Sequence, residues 1–270
     1  MRLYQLDAFT DRLFAGNPAA VCPLTEWLPD ETMQQIAAEN NLAETAFYTH
    51  NPATGRYHIR WFTPTVEVDL CGHATLATAH VIFSLEPFAG NTDKIYLDSR
   101  SGELNVCRQG DWLVLDFPAD TIQRANVQPP ALLSGLEQRP LEIYKGKSDY
   151  LLVYGSQAEI ESLNPNFREL ASVPARGVIV TAPGDGSPGE SGVDFVSRFF
   201  APQSGVDEDP VTGSAHTTLI PYWAERLGKT ELTARQISRR GGYLRCKHNG
   251  ERVDIAGQVK LYMTADIHVG

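Results

Sequence analysis

The feature that most constrains this chain is a weak copy of itself about 140 residues along. Arg60-Trp61-Phe62-Thr63-Pro64 returns as Arg198-Phe199-Phe200-Ala201-Pro202 at an offset of 138, and Gly72-His73-Ala74 returns as Gly213-Ser214-Ala215 at 141. Ser101-Gly102-Glu103-Leu104 and Gly110-Asp111 match Gly241-Gly242-Tyr243-Leu244 and Gly250-Glu251, both at 140. Ordered matches at a nearly constant offset, close to half of 270 residues, predict two similar halves, each long enough to bury its own core. We place them at 1–120 and 121–270, with the linker near Pro118 to Pro130 and the last strand free to return to the first half.

The halves read in the same order. β-rich runs come first, at Tyr4–Phe9, Ala19–Cys22, Thr45–Tyr48 and Tyr57–Phe62, then at Leu141–Tyr144, Leu151–Tyr154, Val178–Thr181 and Val193–Phe200. Asp30 stands where it can cap a helix over Glu31–Asn40. Each half then has a Pro-containing loop, a glycine and a helix, at about 72–84 and 211–227. The first of these helices is apolar on nearly every face, which predicts a central helix wrapped by sheet. Pro221 should kink the second or be accommodated by a local break. Hairpins turning at Gln109-Gly110-Asp111 and Asn249-Gly250-Glu251 close the halves. The expected fold class is α+β, with each half a curled, mostly antiparallel sheet around a central helix.

Composition removes several functions. The net charge of −10 leaves no basic stripe for nucleic acid, and Arg239, Arg240, Arg245 and Lys247 read as a solvated strand face. No run reaches the roughly 18 apolar residues of a membrane span, and the first residues lack a secretory apolar region, so the expected compartment is the cytoplasm. Cys22, Cys71, Cys107 and Cys246 are widely spaced, with no zinc or redox pair. Gly184-Asp185-Gly186-Ser187-Pro188-Gly189 has dinucleotide-loop spacing, but a strand pattern follows it where a helix is required, so it reads as a hairpin loop. Neither cofactor nor metal is expected.

The chemistry gathers at the two glycine-led helix starts. Unpaired N–H groups and the helix dipole favour anions there, so Gly72 and Gly213 are expected to hold a small carboxylate at the seam of the halves. Glu44 enters an otherwise apolar strand, where burial would raise its pKa and let it take and return a proton near neutrality. Asp209 precedes the second helix and has no acidic counterpart in the first half.

At these residues the chain resembles the PhzF-like family of phenazine biosynthesis, whose fold is that of diaminopimelate epimerase. The resemblance rests on DAFTDRLFAGNPAAVC (7–22), NNLAETAFY (40–48), RWFTPTVEVDLCGHAT (60–75), RFFAPQSGVDEDPVTGSAH (198–216) and RRGG (239–242), which span the chain. It implies a cofactor-free isomerisation like that of a dihydro-hydroxyanthranilate, with Glu44 moving the proton between carbons. It further implies catalytic roles for His73, Asp209 and Ser214, and substrate contacts at Gly72, Gly213 and Asn17. Epimerases of this fold that use two thiols carry a cysteine at each central helix start. Only Cys71 is present here, which disfavours symmetric racemisation and leaves Cys71 as a packing residue. An amino-acid racemase or epimerase and a non-catalytic small-molecule-binding protein stay open as alternatives, and a homodimer is kept as the expected assembly.

Overall fold

The computed structural model describes residues 1–85, 92–185 and 192–269. The chain divides into two compact units, Met1–Phe117 with Asp254–Gly270, and Pro118–Val253.

The first unit runs β1 (Arg2–Ala8), β2 (Asn17–Leu24), α1 (Asp30–Asn40), β3 (Glu44–Asn51), β4 (Arg56–Phe62), β5 (Glu67–Val68), α2 (Gly72–Ser84), β6 (Lys94–Ser99), β7 (Gly102–Gln109) and β8 (Trp112–Pro118). β1 pairs antiparallel with β2, β2 parallel with β3, β3 antiparallel with β4, β4 parallel with β6, and β6 antiparallel with β7.

The second unit runs β9 (Gln123–Arg124), α3 (Pro130–Ser134), β10 (Glu142–Lys145), β11 (Asp149–Val153), α4 (Gln157–Glu161), α5 (Phe167–Leu170), β12 (Gly177–Pro183), β13 (Phe195–Phe200), α6 (Gly213–Leu227), β14 (Glu231–Gln236) and β15 (Gly242–His248). From β10 to β15 its ladders follow the same alternation: antiparallel, parallel, antiparallel, parallel, antiparallel. β16 (Arg252–Gly257) carries the chain back, and β17 (Val259–Asp266) pairs antiparallel with β1 in the first unit. The glycine pattern at 184–189 lies mostly outside the described residues: β12 ends at Pro183, and Gly184 N–H donates to Asp194 O at 3.1 Å.

The repeat is physical as well as textual. Arg60 forks onto Glu67, with Nε–Oε1 and Nη2–Oε2 both 2.7 Å, and its guanidinium lies 5.2 Å from the Phe62 ring centroid. Arg198 forks onto Glu208 at 2.7 and 2.9 Å and lies 5.0 Å from the Phe200 ring. Bidentate, charge-assisted pairs fix geometry as well as energy, so the same strut braces the loop leading to each central helix. The step in offset from 138 to 141 falls between the arginine and the glutamate, where the second loop is three residues longer.

α2 is buried along its whole first half, from Gly72 to Ala79, with Val81 and Ile82 beyond. Each large apolar side chain there, Leu76 for example, contributes about 1.5–3 kcal/mol by leaving water. Opposite it, Leu3, Ala20, Cys22, Phe47 and Phe62 pack with Met33 and Ala37 of α1. In the second unit the corresponding core joins β11 to β13 with α3, α4 and α5 through Leu132, Leu152, Ile160, Leu170 and Val180.

Two expectations are corrected. Asp30 does not cap α1: the cap position is Pro29, and the Asp30 carboxylate instead accepts from Arg60 Nη1 at 2.8 Å. Pro221 lies inside an unbroken α6, which starts at Gly213 rather than at Val211. Proline cannot donate to the carbonyl four residues back, Thr217 O, but the Asp120 N–H donates to that oxygen at 3.1 Å. The Asp120 carboxylate also accepts from Thr218 Oγ1 at 2.9 Å, which pins the linker to this turn.

Candidate active site

Strand periodicity aims the first-unit residues. Cys22 and Ala20 on β2, and Phe47 on β3, face α1, so Asn17 and Glu44, at the opposite parity, face α2. The parallel register sets Ala19 beside Glu44, which brings Asn17 close as well. α2 begins under them, and its second residue is His73.

The result is a tight cluster. Glu44 Oε2 lies 3.1 Å from His73 Nε2, Cys71 Sγ lies 3.6 Å from His73 Nδ1, and Asn17 Nδ2 lies 3.2 Å from the same Nδ1. The Glu44 and His73 side chains are 18% and 5% exposed, so the carboxylate is the part open to a ligand. The Glu44–His73 approach is close but poorly directed: neither atom completes a hydrogen bond among the described residues. An amide NH₂ can only donate, so with this Asn17 orientation the neutral ring accepts at Nδ1 and carries its proton on Nε2, toward Glu44.

Burial works against charge on His73, whereas Cys71 and Glu44 favour it, and the balance is well upward. Burial also pushes the Cys71 thiol up to about 11. Turning the Asn17 amide over would present Oδ1 to that protonated ring. Glu44 is therefore not a lone acid in apolar surroundings, as the sequence suggested; it stands beside a second proton carrier. Cys71 is buried, as a packing residue would be, and from the cap position of α2 it also touches the His73 ring.

In the second unit, Ser214 Oγ accepts from Arg176 Nη1 at 2.7 Å. Arg176 is held by Asp149, with Nε–Oδ1 at 2.9 Å and Nη2 on the second oxygen. A serine oxygen that accepts from a cation has its own proton left to donate elsewhere, so Arg176 makes Ser214 a donor. Asp209 accepts from Thr212 Oγ1, and the buried Gln236 links this loop by donating to Asp209 O at 2.7 Å while accepting from Thr212 N at 2.8 Å. Thr212, not cysteine, holds the cap position of α6. No side-chain cap hydrogen bond is formed at Cys71 or Thr212, and both helices begin buried, at Gly72 and Gly213.

Sequence reading singled out Asn17, Glu44, Gly72, His73, Asp209, Gly213 and Ser214; the structure brings the first four together in one unit and the last three to one helix start in the other. It did not single out Arg176, Asp149, Thr212 or Gln236; Thr212 stands within the 198–216 motif, whereas no motif marked the other three. Among the described residues no helix is long and apolar enough to cross a membrane.

The family model for phenazine biosynthesis-like proteins matches residues 6–265. A protein of Pseudomonas aeruginosa named an uncharacterized isomerase is 50% identical over 269 residues, covering 100% of this chain and 99% of the relative. A crystal structure of a PhzF-family protein from Enterococcus faecalis superposes with a TM-score of 0.92 at 42% identity, covering 99% of each chain. The fold alone extends to a probable proline racemase from Agrobacterium radiobacter, with a TM-score of 0.62 at 9% identity over 100% of this chain and 93% of the other. With a match that spans both units and every motif of the site, the chain belongs to the PhzC/PhzF family of phenazine biosynthesis-like proteins.

Proposed function

We propose that the chain is a cofactor-independent isomerase that moves a proton between two carbons of a small carboxylate metabolite, with Glu44 taking and returning the proton. The contact of Glu44 Oε2 with His73 Nε2, at 3.1 Å and without a completed hydrogen bond, carries this reading. A carboxylate satisfied by fixed donors would be a poor base, whereas Glu44 keeps an oxygen without a completed hydrogen bond, and the imidazole beside it offsets the carboxylate charge until the proton arrives. His73 is positioned by Asn17 and stabilises the ionised carboxylate. Asp209 and Ser214 would hydrogen-bond the ligand and stabilise charge developing on it, as the family resemblance implies. The buried, uncapped starts of α2 and α6 support an anionic ligand, and the isomerase names of close relatives support the class of reaction.

The test is incubation of the protein with a panel of cyclic and amino carboxylates in heavy water, read by proton NMR. The reading expects deuterium at carbon and a displaced double bond in at least one member. Thermal stabilisation by a member whose C–H bonds stay unlabelled would instead favour a binding protein.

A further inference from the structure

We infer that Cys71, His73 and Glu44 also form a binding site for a thiophilic divalent cation of the Zn²⁺ type, which blocks proton transfer while it is bound. One donor atom from each of the three lies within 4.8 Å of the others. Cys71 Sγ and His73 Nδ1 are 3.6 Å apart. Two ligands at about 2.3 Å (sulfur) and about 2.0–2.1 Å (nitrogen) from a tetrahedral zinc are separated by roughly 3.6 Å, so this edge of the polyhedron is already formed.

The third ligand has to turn from His73 Nε2, which Glu44 Oε2 faces at 3.1 Å, toward the Nδ1 side, and the Asn17 amide 3.2 Å from Nδ1 has to withdraw. The Glu44 carboxylate is the most exposed of the three groups, and its inner oxygen is not tied down by a directed hydrogen bond. A swing toward Sγ and the ring closes the face and leaves the fourth position for water. On binding, the Cys71 S–H bond and the His73 Nδ1–H bond break, S–metal and N–metal bonds form in their place, and both protons leave to solvent; nothing is oxidised or reduced. The thiolate and carboxylate together cancel the charge of a dication, which a mostly buried site requires. They also offset the unfavourable positive end of α2. Sulfur and imidazole ligands select zinc, cobalt or cadmium over magnesium and calcium, which want oxygen alone.

Occupancy of the three side chains does not depend on the proposed reaction; only the block on proton transfer rests on it. The test uses the full chain, stripped with a chelator and titrated with Co²⁺. One cobalt per chain should give a thiolate-to-metal charge-transfer band that Zn²⁺ abolishes by displacement and Mg²⁺ leaves unchanged. Cys71→Ser and Cys71→Ala, checked for folding by thermal melting, should lose the band and weaken binding by at least about ten-fold. X-ray absorption of the zinc-loaded unsubstituted protein should show one sulfur with nitrogen and oxygen neighbours, a readout independent of how the variants fold. An unchanged band in the variants, a shell without sulfur, or no binding below millimolar cobalt overturns the proposal.

Discussion

His216, one turn into α6, makes the second unit sensitive to acid in a window of its own. The ring is fully buried, Nδ1 donates to Thr212 O at 2.8 Å, and Nε2 has no partner among the described residues. Burial outweighs the backbone hydrogen bond and pushes the pKa down to about 4. In the unfolded chain the same ring titrates near 6.5. Between those values the unfolded state binds a proton that the folded state refuses, so stability falls as pH is lowered from about 6.5 toward about 4. At about 1.4 kcal/mol per pH unit, the loss over the window is about 3 kcal/mol. His216→Asn keeps a donor for Thr212 O and removes the titration. Urea unfolding of both proteins at several pH values, followed by fluorescence from the buried Trp223 of the same helix, isolates the effect. The variant pays a constant packing penalty, but its disadvantage should shrink by about 3 kcal/mol between pH 7 and pH 4. Parallel curves for the two proteins would refute the buried, neutral histidine.

Asp149 and Arg176 should respond unequally to truncation. The Asp149 side chain is 5% exposed and that of Arg176 is 40%, so Arg176→Met strands a buried carboxylate and should cost about 3 kcal/mol, whereas Asp149→Ala leaves an arginine that can turn to water and should cost less; urea midpoints give the order. Gly16 adopts φ +65°, and a Cβ there would collide with Ala8 O and Thr10. Gly16→Ala should therefore destabilise by at least about 2 kcal/mol and displace the adjoining Asn17, seen as a lower melting temperature and weaker ligand binding. Trp223→Phe removes the Nε1 hydrogen bond to Thr181 Oγ1 at 3.0 Å and should cost about 1–3 kcal/mol by calorimetry.

The parts of this fold that were legible in the sequence are those in which one residue's type carries the information. Arginines 138 residues apart announced the repeat because each half needs the same Arg–Glu strut, and the glycines at 72 and 213 announced the helix starts. Interactions with distant partners were not legible. Asp30 looked like a cap until Arg60, on β4, claimed its carboxylate. Pro221 looked like a break because the donor that satisfies Thr217 O comes from Asp120, almost a hundred residues earlier. The same holds for the site: Glu44 and His73 follow from motif and strand parity. The involvement of Cys71, by contrast, depends on the cap geometry that turns its sulfur toward the ring of His73, two residues on. Arg176 and Asp149 lie outside every motif and act only by reaching Ser214 in space.

The central claim is that Glu44 carries the proton. Glu44→Gln preserves the shape of the side chain and its contact with His73 but cannot accept a proton. The direct measurement is solvent deuterium exchange into a substrate identified by the carboxylate panel, compared between the two proteins at matched ligand occupancy. The account predicts nearly unchanged ligand affinity with exchange and turnover reduced together by about 10² to 10⁴. Exchange near the unsubstituted rate in Glu44→Gln, with Asp209→Asn abolishing it, would contradict the account and move the base to Asp209.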